Sequence, residues 1–215
     1  MNGPKLDPPT TISGPPLDAY PPAAIAKLVE RVGVKKANTE LVPTLALGVL
    51  AGAFIAFGGM LFTLVMTGNE LGFGLGRWLG GIAFSLGLIL VIIGGAELFT
   101  GNNLIVMAWA ERLITVTQLL RNWSLVYAAN FAGALGSALM VHWSGTLMLS
   151  GGAVAETAQA IAEGKVALGV VEALWRGVLC NVLVCLAVWL CFAARSVISK
   201  IMAIIFPISA FVALG

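Results

Sequence analysis

Long apolar stretches separated by short polar and glycine-rich connections make up most of this chain. The stretches 41–67, 79–109, 124–149 and 167–194 reach the roughly 20 mostly apolar residues that a helix needs to cross a bilayer. A fifth stretch, 201–215, runs to the last residue of the sequence. At about 1.5 Å per residue it covers about 22 Å of a hydrocarbon core about 30 Å thick, so the chain is expected to be part of a longer protein. Ahead of the spans, Ile25, Leu28, Val29 and Val32 recur at i, i+3, i+4, i+7, with Lys27, Glu30, Arg31 and Lys35 elsewhere. That spacing predicts an amphipathic helix over 18–36, lying on the membrane surface or packing on a neighbouring subunit. Residues 1–17 carry Pro4, Pro8, Pro9, Pro15 and Pro16 among polar residues and read as a disordered arm. The pattern predicts an all-α membrane protein whose transmembrane domain covers 37–215.

The second stretch is interrupted. Gly94-Gly95-Ala96-Glu97-Leu98-Phe99-Thr100-Gly101-Asn102-Asn103 does not continue a lipid-facing helix. Irregular backbone at membrane depth is tolerated only where it is packed in protein or lines an aqueous cavity. Broken helices of this kind mark substrate sites in many transporters. The break, placed near 97–103, therefore predicts a conduction pathway. The amides at the start of the following half-helix, near Leu104, offer a partial positive charge that attracts anions. The fifth stretch resembles the second, as an inverted repeat would require.

Intramembrane polar residues are functional candidates by default. Glu97 reads first as an acceptor for backbone amides freed by the break, and second as a group that handles substrate or protons. Thr100 either bonds freed backbone or points into the lumen as a gate. Asn102 and Asn103 secure the turn. Glu172 and Arg176 stand at i, i+4 and are expected to pair. Asn181 is expected to bond to a neighbouring helix, and Lys165 reads as a solvated loop lysine. Phe84, Leu88, Leu98 and Phe211 read as core. Gly48-x-x-x-Gly52 permits close helix approach.

Composition narrows the class further. The chain is 59% apolar and 10% charged, against about 25% charged in soluble domains. With the N-terminus inside, Lys5, Lys27, Arg31, Lys35, Lys36, Arg112, Arg121, Arg195 and Lys200 fall inside, and Arg77, Lys165 and Arg176 outside. That distribution follows the positive-inside bias and predicts a cytoplasmic N-terminus in an inner (plasma) membrane. Cys180, Cys185 and Cys191 form no C-x-x-C pair and read as buried fillers. His142, beside Trp143, reads as interfacial. No phosphate loop, paired catalytic carboxylates or nucleophile–base set stands in the sequence. An enzyme, a cofactor and a nucleic-acid partner are therefore not expected.

Together these residues resemble the formate/nitrite transporter family. The matching segments are Gly95-Ala96-Glu97-Leu98-Phe99-Thr100, Asn130-Phe-Ala-Gly133-Ala-Leu, and Arg176-Gly-Val-Leu-Cys180-Asn181 continuing to Trp189. Arg195-Ser196 and Phe211-Val-Ala-x-Gly215 extend the match. The resemblance implies an aquaporin-like helical bundle with broken helices and an inverted repeat, here incomplete at the C-terminus. It also implies a homopentamer with one pore per protomer. It implies that Phe84, Leu88, Leu98 and Phe211 form a pore constriction. Glu97, Phe99, Thr100 and Asn102 would belong to the pore loop and its gate, and Lys165 and Asn181 would attract anions. The implied substrate is formate, nitrite or a related small anion, crossing by passive or proton-coupled passage. The family's pore histidine follows the glycine matched by Gly215 in a Gly-Phe-Glu-His context, past the last residue given, and His142 is not that residue. The alternative is a membrane anchor or scaffold without a pore.

Overall fold

The computed structural model describes residues 19–215, which are helical with short connections. The arm expected over 1–17 lies outside them. Helix α1 covers Pro22–Ala37 and α2 covers Leu41–Met66. Helix α3, Phe73–Gly94, ends at the break. Beyond the break the chain turns helical again as α4 (Phe99–Asn102), a 3-10 turn (Asn103–Ile105) and α5 (Val106–Ala110). Helix α6 covers Val116–Trp143, α7 Ala153–Val166, α8 Val170–Ala193 and α9 Val197–Leu214. Among the described residues α2, α3, α6, α8 and α9 are long and apolar enough to cross a membrane.

Four boundaries differ from the sequence reading, each for a local reason. The non-helical segment is 95–98, not 97–103, because Asn102 and Asn103 lie in helical backbone. Helix α6 starts at Val116 because Thr115 and Gln118 form a capping box: the Gln118 amide donates to Thr115 Oγ1 at 3.2 Å, and the Thr115 amide to Gln118 Oε1 at 2.8 Å. The polar connection after α6 contains a helix of its own, α7, whose Val154 is buried and whose Thr157 accepts a hydrogen bond from Thr67 at 3.2 Å. The fifth span starts at Val197, where Ser196 accepts from the Ser199 amide at 3.0 Å. Its 18 residues run as one helix with Pro207 inside, so no interruption matching that of α3 occurs within it.

Close backbone approach joins the spans. The main packing runs α6 on α2, α2 on α3, α3 on α9 and α9 on α8. At the α2–α6 crossing a Cβ on Gly52 would lie 2.0 Å from the Asn130 carbonyl oxygen, and one on Gly133 would lie 2.0 Å from the Val49 oxygen. Only glycine permits that approach, as the Gly48-x-x-x-Gly52 spacing predicts. Helix α1 turns Ile25, Val29, Gly33 and Ala37 inward. Gly33 meets Ala108 and Ile105, so within this chain the amphipathic helix packs under the segment that follows the break.

Candidate functional site: the break, its vestibule and the apolar constriction

Gly95 closes α3 with a left-handed conformation (φ 73°), which glycine adopts without a Cβ penalty. The Ala96 amide returns to the Val91 carbonyl at 3.0 Å. The chain then runs extended at Leu98. Its freed backbone groups are met by two neighbouring helices. The Glu97 amide donates to the Leu47 carbonyl of α2 at 3.2 Å. Asn130 of α6 supplies the rest: its Oδ1 accepts the Phe99 amide, and its Nδ2 donates to the Glu97 and Gly48 carbonyls, each at 2.8 Å. A single side-chain amide thus ties the break to both helices and satisfies groups that lipid could not.

The side chain of Glu97 does something other than cap amides. Its Oε2 accepts from Lys36 Nζ at 3.0 Å and from Asn102 Nδ2 at 2.6 Å. Lys36 also donates to Asn102 Oδ1 at 2.8 Å, and Asn102 Nδ2 to Asn122 Oδ1 at 3.1 Å. Asn122 Nδ2 reaches back to the Lys36 carbonyl at 3.1 Å. Glu97 is 8% exposed and Asn102 1%. A buried carboxylate needs a partner charge and hydrogen bonds, and this cluster provides both. The expectation that Glu97 caps backbone is corrected accordingly. Asn130 and the Leu47 carbonyl do that work, because the Phe99 amide faces α6 and the Glu97 amide faces α2, while the carboxylate faces α1.

Phe84, Leu88, Leu98 and Phe211 share one apolar cluster with Val91, Val184 and Ile208. The rings of Phe84 and Phe211 lie 5.6 Å apart between centroids. A cavity of about 230 Å³ lies against the break, walled by Gly95–Leu98, by Gly33 and Lys36 of α1, and by Val188 and Lys200. Leu88 and Leu98 belong both to its wall and to the apolar cluster. Phe99 packs edge-on against Trp123 and Tyr127 and stands outside that wall. Thr100 lies in the first turn after the break, where its carbonyl accepts from Cys185 Sγ at 3.4 Å. Its half-helix begins at Phe99 rather than near Leu104, and its first amide is already taken by Asn130.

Lys165 lies away from the break, at the end of α7, and Asn181 midway along α8. Lys165 closes α7 and its Nζ donates to the Gly215 carbonyl. Cys180 of α8 donates to the Phe211 carbonyl at 3.7 Å. The Asn181 Oδ1 is buried and has no partner among the described residues. Glu172 and Arg176 form their i, i+4 pair at 2.6 Å. His142 is exposed in the last turn of α6.

The sequence reading gave no role of their own to three residues that hold the break and its polar cluster: Lys36, Asn122 and Asn130. The first had a signal. Val29, Gly33 and Lys36 stand at i, i+4, i+7, so a lysine occupied the buried stripe of α1. Asn130 needed the α2–α6 crossing to be seen, and Asn122 needed the packing of α6 against α1 and the segment after the break. Among the described residues no group of three or more His, Cys, Asp or Glu side chains is placed to hold a metal ion.

Residues 23–215 match the sequence profile of the family described as formate/nitrite transporter. The formate channel FocA of Escherichia coli K12 is 40% identical over 201 residues, covering 93% of this chain and 70% of that protein. A solved pentameric formate channel with formate bound is 37% identical with a TM-score of 0.73, over 80% of this chain and 68% of that one. The fold also matches an FNT family ion channel at a TM-score of 0.81 and 24% identity, over 90% and 77%. Channels and transporters, not enzymes, are what this chain resembles throughout its helical domain. It is a multi-pass membrane protein that belongs to the formate/nitrite transporter family.

Proposed function

We propose that this protein is a channel for small monovalent anions, formate foremost, with a pore in each protomer of a homopentamer in the inner (plasma) membrane. The observation that carries the reading is the position of the break. Gly95–Leu98 walls a cavity on one side and meets the apolar Phe84–Leu88–Leu98–Phe211 cluster on the other. Polar backbone is thus brought next to a narrow dry stretch, the arrangement that gates by dewetting. The solved relative that holds formate and the FocA identity support formate as the substrate. Nitrite has the same charge and similar size and is the second expected substrate.

A bare anion is costly in such a constriction. Desolvation raises the pKa of a small acid, so uptake of a proton eases passage. Crossing is passive or proton-coupled, the proton in the second case coming from water at the mouth of the pore and returning to water on the other side. Thr100 and Asn102 sit below the constriction as the gate segment, with α1 on the cytoplasmic side. Lys165 and Asn181 attract the anion at the far side. Lys165→Ala should lower formate flux about three- to tenfold at low formate and low salt while the assembly stays intact. Flux measured in liposomes across formate concentrations tests this; an unchanged rate at every concentration removes Lys165 from the pathway.

A further inference from the structure

The cavity against the break is faced by three charged side chains: Lys36 from α1, Glu97 from the break and Lys200 from the first turns of α9. Lys36 and Glu97 neutralise each other at 3.0 Å. Lys200 is partly buried and has no carboxylate within ion-pair distance among the described residues. It also lines the adjoining cavity of about 570 Å³ with Tyr20, Leu28, Phe192 and Arg195. Arg195 in that second cavity sits over the Tyr20 ring, 4.3 Å from its centroid. The two cavities share Cys191, Phe192 and Lys200 as a common wall.

We propose that Lys200 is the anion-collecting residue of the α1-side vestibule, holding small monovalent anions such as formate at the mouth below the constriction. The inference rests on the channel reading and adds a residue to it. Arg195 adds a further positive charge in the adjoining cavity. The ion pair leaves Lys36 and Glu97 with no net charge, so the net charge lining the cavity against the break is that of Lys200. Its walls are mostly apolar (Val29, Val32, Leu88, Val91, Val188), so they screen that charge poorly. A single ammonium then sets a positive potential over a cavity large enough for a small carboxylate with water. The position suits capture and not passage, because Lys200 lies in the first turns of α9 while the constriction residue Phe211 lies in its last. Loss of the charge should therefore raise the formate concentration needed for half-maximal flux and leave the saturated rate nearly unchanged.

The test reads the vestibule potential separately from transport. In a protein with Cys180, Cys185 and Cys191 replaced by alanine, Val32→Cys places one thiol on the cavity wall. Its modification rates with a negatively charged and a positively charged methanethiosulfonate give a ratio that cancels differences in access. Lys200→Gln should lower the negative-to-positive ratio about fivefold at low salt, with the difference shrinking in high salt. Lys200→Arg should restore it. A ratio unchanged by Lys200→Gln overturns the proposal, whatever the flux. Formate uptake by the same proteins in liposomes separates the two readings. A ratio that falls while the parent protein carries no formate keeps the anion-collecting vestibule and overturns the channel. A ratio that falls together with a several-fold rise in half-saturating formate, at an unchanged maximal rate, supports both.

Discussion

Lys36 and Glu97 are 61 residues apart in sequence and meet at 3.0 Å beneath the break. Removing one partner strands the other in a poorly hydrated place, which costs more than the pair itself contributes. Glu97→Gln should lower stability by about 2 kcal/mol, read as a lower thermal midpoint in detergent. A double change to Lys36→Met with Glu97→Leu should recover part of that loss; a midpoint unaffected by Glu97→Gln would show that the cluster does not contribute to stability. Glu97 was visible in the sequence as an intramembrane acid, but its partner was not. A carboxylate in an apolar run announces that something must neutralise it, while the identity of that group depends on where α1 packs. Asn130 was legible only as part of a resemblance, since nothing local says that its amide serves Gly48, Glu97 and Phe99 together.

Helix spans were legible because apolar length alone decides them in lipid. Their ends were less so. Thr115 and Gln118 cap α6, and the sequence reading placed that start later, at 124, just after Trp123. Helix α7 was missed because its composition is that of a polar connection, and its helix is held by Val154 and Thr157 against the end of α2. Glycine positions carry the element-level energetics. A Cβ at Gly52 would sit 2.0 Å from the Asn130 carbonyl oxygen, whereas one at Gly136 of the same helix pair meets nothing within 4 Å. Gly52→Ala should separate α2 from α6, disturb the Asn130 clamp and cost about 3 kcal/mol. Gly136→Ala should hold or slightly raise stability, by up to about 1 kcal/mol. Thermal unfolding of the two variants side by side checks the contrast; equal midpoints would mean that the crossing is looser than described.

Across the whole molecule, the five spans present wide apolar faces, with Tyr127, Phe131 and Leu135 of α6 and Leu174, Trp175 and Leu179 of α8 exposed. Lipid covers such faces, and so does a second copy of the chain. The pentamer proposed above predicts a mass of five protomers in detergent, measured by native mass spectrometry; a stable monomer would contradict it. The fold brings polar backbone against an apolar cluster by breaking one helix and clamping the break to α2 and α6. On the channel reading proposed above, that break is an ordered part of a pathway and not a defect in a span. Substrate-resolved flux in liposomes measures this most directly. Formate and nitrite should cross many times faster than through protein-free liposomes, and sulfate should not. Formate flux no faster than the protein-free rate, from a correctly assembled protein, would contradict the account.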